Sequence, residues 1–138
     1  MKNETNIRLG RHCVFLMHVN LVFVTKYRRK IFDQDAIEKL RGYFASVCAD
    51  FDVELVEMDE ERDHVHVLIN YPPKLAISNL VNSLKGVSSR LLRRDRPDIA
   101  QRDYYKGVLW SPSYFAGSCG GAPISIICQY IEQQETPS

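Results

Sequence analysis

Asp63-His64-Val65-His66-Val67-Leu68-Ile69-Asn70-Tyr71 is the stretch that decides the fold. From His64 to Tyr71 it reads as a β-strand, because side chains two apart share one face of a strand. Val65, Val67 and Ile69 then form an apolar face, while His64 and His66 point the other way. Pro72-Pro73 stops the strand, since proline cannot donate to a ladder. Just upstream, the charged turn Asp59-Glu60-Glu61-Arg62 joins it to a second strand, Val53 to Met58, as a hairpin-like pair. Before that pair, Asp33 can cap a helix in which Ile37, Leu40, Phe44, Val47 and Phe51 recur at spacings of three and four. A first strand, rich in Val, Phe and Leu, is expected from Cys13 to Thr25, ending at Lys26-Tyr27-Arg28-Arg29-Lys30.

Downstream, a second helix places Ile77, Leu80 or Val81, Leu84, Val87 and Leu91 inward and Lys85, Ser89, Arg93 and Arg96 outward, with Pro97 marking its end. A polar stretch leads to a last strand around Val108 to Ala116, which Pro112 consigns to an edge. After Ser118-Cys119-Gly120-Gly121, Pro123 suits the first turn of a final helix running to about Gln134. The order β-α-β-β-α-β plus a C-terminal helix predicts an α+β, ferredoxin-like (RRM-like) antiparallel sheet. Its first and third strands are central, which puts His64 and His66 mid-sheet. Fold alone names no function.

The chain of 138 residues is expected to form a single domain, 1–138, with about 1–10 as a flexible extension. No apolar run approaches the roughly 20 residues that span a bilayer, and no signal-peptide pattern is visible, so a cytoplasmic location is expected. Cys13, Cys48, Cys119 and Cys128 are scattered without a C-x-x-C pair, which argues against a zinc ribbon or disulfide framework. The net charge of +1 hides segregation. Base gathers at residues 26–30 and at Lys85, Arg90, Arg93, Arg94 and Arg96; acid gathers at Glu57, Asp59, Glu60, Glu61 and Asp63. One face can therefore bind phosphates although the molecule is near neutral, and solvated helix and turn faces are the other reading.

The chemistry-bearing signals are two. His64-Val65-His66 can bring both imidazoles to one metal ion, a half-site that needs a third ligand from elsewhere; ordinary polar-face residues also take this spacing. Tyr130 and Gln134, four apart, share one face of the final helix. A tyrosine near a chain end is commonly a packing residue, but beside a metal its phenolate is a nucleophile. Gln134 can supply the missing oxygen ligand.

Taken in order, Thr25 to Lys30 (T-K-Y-R-R-K), Asp63 to Ile69 (D-H-V-H-V-L-I), Leu84 to Arg90 (L-K-G-V-S-S-R), Leu109 to Phe115 (L-W-S-P-S-Y-F), the G-G pair and Y-I-E-Q-Q on the final helix resemble one family. These are the HUH single-tyrosine transposases, the TnpA type of small bacterial and archaeal insertion sequences, a superfamily that takes in the REP-associated tyrosine transposases. The resemblance spans all but the first ten or so residues. It implies His64 and His66 as metal ligands, Gln134 as the third ligand, Tyr130 as nucleophile, and Mg²⁺ or Mn²⁺ as the ion. It implies cleavage that leaves a 3′-hydroxyl and a 5′-phosphotyrosine, and rejoining by reversal of that step. It further implies a homodimer with joined sheets and active sites shared between subunits, Gly120-Gly121 being either the hinge or simply a loop. The implied substrate is single-stranded DNA at hairpin-bearing transposon ends. Lys26, Arg28, Arg29, Lys85, Arg90, Arg93 and Arg94 are then the backbone-contact candidates. Tyr104, Tyr105 and Trp110 can stack on unpaired bases or pack internally. His18, on the strand beside the histidines, can support the pair or be structural.

Three other readings remain open at this point: a domesticated relative acting on chromosomal palindromic repeats, a metal-dependent hydrolase, and a non-catalytic nucleic-acid-binding module. A hydrolase needs a nearby carboxylate or third histidine and no Tyr130. The binding module calls for exposed aromatics on the central strands rather than a histidine pair.

Overall fold

A computed structural model describes residues 16–118 and 131–134. Strand β1 (Met17–Val24) is followed by a short 3₁₀ turn (Lys26–Arg28), helix α1 (Gln34–Asp50), β2 (Glu54–Glu60), β3 (His64–Tyr71), α2 (Ile77–Asp95), α3 (Pro97–Asp103) and β4 (Phe115–Ser118). The sheet is antiparallel in the order β2-β3-β1-β4. β1 and β3 are thus central, as the ferredoxin-like reading requires.

Alternation along the central strands separates two environments. Val19, Leu21 and Phe23 of β1 and Val65, Val67 and Ile69 of β3 join Leu40, Phe44 and Val47 of α1 and Leu80, Leu84 and Leu92 of α2 in the main core. The intervening residues face the opposite side, where Val22 and Val24 form a small separate cluster with Ile131, against which Phe115 packs. This second cluster matters for the site, because it lies on the histidine face.

The helices are anchored by recognisable chemistry. Asp33 caps α1, its Oδ1 accepting the Ala36 N–H at 2.8 Å, a contact worth about 1 kcal/mol. Arg96, between α2 and α3, reaches Asp33, Asp35 and Asp98 at 2.9 Å, tying the start of α1 to the end of α2. Tyr43 on α1 donates to Asp95 on α2 at 2.5 Å.

Strand β2 runs on through Glu60, into the turn expected at Asp59 to Arg62, and two further elements depart from expectation. Pro97 does more than end α2: it occupies the first turn of α3, seven residues long with Ile99 its one buried residue, too short for an apolar stripe to register. The last strand begins later than Val108. Segment 109–111 follows β1, with Thr25 bridged to Trp110, and pairing resumes where Val22 faces Phe115. Three steps along β1 thus match five on the returning segment. The two extra residues bulge at Pro112, which has no N–H to give. What remains, β4, is an edge strand.

Of the final helix, Ile131 to Gln133 are helical. Tyr130, Gly120-Gly121, Cys13, Cys119, Cys128, His12 and the expected N-terminal extension lie outside the described residues. Cys48 is buried in the core, and burial pushes its thiol up to about 11, which suits a small hydrophobe.

Candidate functional site

His64 and His66 project from the middle of the sheet on the face opposite the main core, both half-buried. Their register partners on β1 are Val24 and Val22, and Asp59 of β2 lies opposite His66. Each ring is oriented by a neighbour. His64 Nδ1 lies 2.8 Å from Asp63 Oδ1. A carboxylate only accepts, so Nδ1 carries a proton, and in the neutral ring Nε2 is the nitrogen with the lone pair. His66 Nε2 lies 3.0 Å from Asn20 Oδ1, so there Nε2 donates and Nδ1 is the nitrogen with a lone pair.

Asp63 is itself buried, and its second oxygen accepts Arg28 Nε at 2.8 Å. A cleft beside His64 is lined by Arg28, Lys30, Glu61, Arg62 and Asp63. Among the described residues no three His, Cys, Asp or Glu side chains converge as a metal-binding group. The donor set therefore fits a two-imidazole half-site for a divalent ion, with His64 held through Nδ1 and His66 through Nε2 and the other nitrogen of each ring left to a ligand.

The C-terminal turn reaches the same face. Ile131 packs on Val22 and Val24, the register partners of the two histidines. Gln134 Oε1 accepts Ser111 Oγ at 2.5 Å, with Ser113 Oγ at 3.4 Å. A second cleft is bounded by Lys26, Tyr27, Ser111, Pro112, Ser113, Gln133 and Gln134. The structure thus brings Gln134 to the basic turn and the serine loop.

The basic candidates separate into committed and available groups. Arg28 pairs with Asp63, Arg94 with Asp95 at 2.7 Å, and Arg93 donates to Gly107 O at 2.6 Å while lying over Tyr104. Lys26 lies over Tyr27, and Arg29 and Lys106 lie over Tyr105. Arg90 is exposed. Lys85 donates to Ser113 O at 3.1 Å, and burial lowers its ammonium to about 8.

The aromatics divide similarly. Trp110 is a core residue whose Nε1 donates to Ser88 Oγ at 3.0 Å, and buried Tyr104 donates to Ser89 O at 2.9 Å. Packing rather than base stacking is their role. Tyr105, edge-on to Tyr27 with centroids 4.8 Å apart, stays half-exposed. His18 bonds Asn70, which in turn donates to Glu54 at 2.9 Å, so it belongs to a polar ribbon further along the sheet.

Sequence reasoning did not single out Asp63, Asn20 or Ser111. Asp63 had a signal, its place directly before H-V-H. Ser111 lay inside the Leu109 to Phe115 motif without a role attached to it, and Asn20 had no signal, because its relevance comes from strand register.

No helix among the described residues is long and apolar enough to cross a membrane. Residues 13–134 match the family of IS200-like transposases. The chain is 29% identical over 128 residues to the ISDra2 transposase TnpA of Deinococcus radiodurans, covering 93% of this chain and 91% of that one. It is likewise 29% identical over 115 residues to the transposase for insertion sequence element IS200 of Salmonella typhimurium, covering 83% and 74%. A crystal structure of a D. radiodurans protein proposed to be a transposase superposes with a TM-score of 0.85 at 29% identity, over 92% of this chain and 97% of that one. A REP-associated tyrosine transposase bound to a REP hairpin shares the fold, with a TM-score of 0.59 at 13% identity over 89% and 67% of the two chains.

Proposed function

Because this chain belongs to the IS200-like transposase family, we propose that it cuts and rejoins single-stranded DNA at hairpin-bearing transposon ends through Tyr130. The observation that carries the reading is the His64/His66 pair on one face of the central strand, with the C-terminal turn packed beside it through Ile131. Tyr130 directly precedes that turn in sequence.

In this reading His64 and His66 would hold Mg²⁺ or Mn²⁺, with Gln134 as the third ligand once its oxygen leaves Ser111. A bound divalent ion supplies Lewis-acid polarisation of the scissile phosphate and offsets charge on its oxygens. The Tyr130 phenolate oxygen attacks phosphorus, and the bond from phosphorus to the 3′-oxygen breaks. That oxygen takes up a proton and leaves as a 3′-hydroxyl, while the 5′-phosphate stays on the tyrosine. A different 3′-hydroxyl can reverse the step, so ends are exchanged with no external energy source. Lys26, Arg29 and Arg90 are the cations best disposed to meet the DNA backbone, contacts that position a strand without reading its bases. We further propose a homodimer in which the Gly120-Gly121 joint lets each tyrosine helix serve either subunit's histidines.

The test incubates labelled single-stranded DNA carrying the element's hairpin ends with protein and Mg²⁺, followed by a denaturing gel. A DNA-linked protein band is expected from wild type, and from neither Tyr130→Phe nor His64→Ala/His66→Ala. Cleavage surviving in Tyr130→Phe would replace this reading with hydrolysis by water.

A further inference from the structure

The basic turn after β1 is built around one buried carboxylate. Asp63, 5% exposed, accepts His64 Nδ1–H with one oxygen and Arg28 Nε–H with the other, each at 2.8 Å. The surrounding backbone is stitched to fix that arrangement. Thr25 N–H donates to Asp63 O at 3.0 Å, and the buried Thr25 hydroxyl lies within reach of the Arg29 and Asp63 carbonyls at 2.7 and 3.2 Å. On the other side, the N–H groups of Ile31 and Phe32 both donate to Arg62 O, at 2.9 and 3.0 Å. Between these seams, Tyr27 and Arg28 are both left-handed, at φ 57° and 56°. Two consecutive side-chain-bearing residues adopt that region only where the surroundings enforce it. Here the conformation turns Arg28 back onto Asp63.

We propose that Asp63 and Arg28 are positioning residues for His64: the carboxylate fixes the ring in the tautomer that presents Nε2, and the guanidinium fixes the carboxylate. Arg28 acts through Asp63 and not on the DNA backbone. The inference rests on the metal reading given above, and its test separates the two.

Asp63→Asn is the informative variant. The charged guanidinium claims the amide oxygen, so the amide NH₂ faces His64 Nδ1 and forces the proton onto Nε2, where it blocks a metal. Removing the guanidinium as well frees the amide to turn its oxygen back to Nδ1. Asp63→Asn/Arg28→Ala is therefore expected to be less impaired than Asp63→Asn alone, a reversal that loss of structure does not produce. Two readouts on the full chain apply. Nitrogen-15 correlation spectra of the metal-free protein, at a pH where imidazoles are neutral, report the His64 tautomer. Calorimetric titration with Mn²⁺ reports affinity, and a loss of roughly 10- to 100-fold is expected for Asp63→Asn, with partial recovery in the double variant. Arg28→Ala alone is expected to weaken Mn²⁺ binding less. It should leave unchanged the salt dependence of binding to a single-stranded oligothymidylate.

The proposal is overturned if Asp63→Asn leaves tautomer and Mn²⁺ affinity at wild-type values. It is equally overturned if Arg28→Ala changes neither and instead lowers the salt slope by about one, the signature of a lost phosphate contact. Wild-type protein that takes up no Mn²⁺ would sink the metal reading instead, and the tautomer, read without metal, would still decide whether Asp63 sets the ring.

Discussion

Replacing Ile131 by alanine should loosen the C-terminal turn from the sheet while leaving the rest of the fold in place. Ile131 is 8% exposed, and its seat is Val22 and Val24, both fully buried, with Phe115 at the side. Truncation removes three carbons, and at about 0.8 kcal/mol each the lost burial is about 2.4 kcal/mol. That corresponds to an on-the-order-of 50-fold shift in docking, since 1.4 kcal/mol is a factor of ten. Among the described residues, the polar ties of this turn are the Ser111–Gln134 hydrogen bond and the longer Ser113 contact; a bond of this kind is worth about 1 kcal/mol, which is too little to compensate. The effect should be local, because this cluster is separate from the main core. Hydrogen exchange read by mass spectrometry should show faster exchange at residues 131–134. The urea midpoint followed by circular dichroism should move little. Tyrosine-dependent cleavage should fall while binding to single-stranded DNA persists. Unchanged protection at 131–134 would refute the reasoning, and so would a global loss of the full 2.4 kcal/mol.

Other outcomes follow from the same geometry. Trp110→Phe keeps most of the core volume but removes the donor to the fully buried Ser88 hydroxyl, so urea unfolding should report a loss of about 1–3 kcal/mol with DNA affinity unchanged. Arg96 holds the Asp33, Asp35 and Asp98 carboxyls below their usual range, Asp98 at about 2. A depressed carboxylate stabilises the fold above its unfolded value and loses that contribution as pH falls through the folded one. Thermal stability should therefore drop from about pH 4 toward pH 2, and Arg96→Met should flatten the drop. Lys85 has the same sign of pH dependence in a higher window: with its ammonium lowered to about 8 by burial, the unfolded chain holds the proton more tightly. Stability should accordingly rise as pH climbs from about 8 toward 10, and thermal melts at the two ends should show a smaller rise in Lys85→Met.

How much of this was legible in the sequence follows from the range of the forces involved. Strand β3 was readable to the residue because alternation on one side and Pro72 on the other both act locally. The Asp33 cap and the core positions of α1 were readable for the same reason. The late start of β4 was not, because its pairing depends on where β1 places its partners and on a bulge that local propensity does not encode. Spacing alone put His64 and His66 on one face of β3, whereas it said nothing of the residues that support them. Asn20 reaches His66 only through strand register. Arg28, which charge patterning groups with DNA contacts, turns inward because of two left-handed residues that no composition rule anticipates. Trp110 was open to stacking with packing the favoured role, and its burial against Ser88 of α2 bears packing out.

The most direct test of the central claim is to locate the covalent bond. A suicide oligonucleotide with only a short stretch 5′ of the scissile phosphate, whose released 3′-hydroxyl piece diffuses away, would trap the protein on the remaining DNA in the presence of Mg²⁺. Nuclease trimming, proteolysis and mass spectrometry would then identify the modified residue. The expected result is a 5′-nucleotidyl adduct on Tyr130, absent from His64→Ala/His66→Ala. An adduct on another tyrosine such as Tyr27 or Tyr105, or cleaved DNA with no adduct on any residue, would contradict the account.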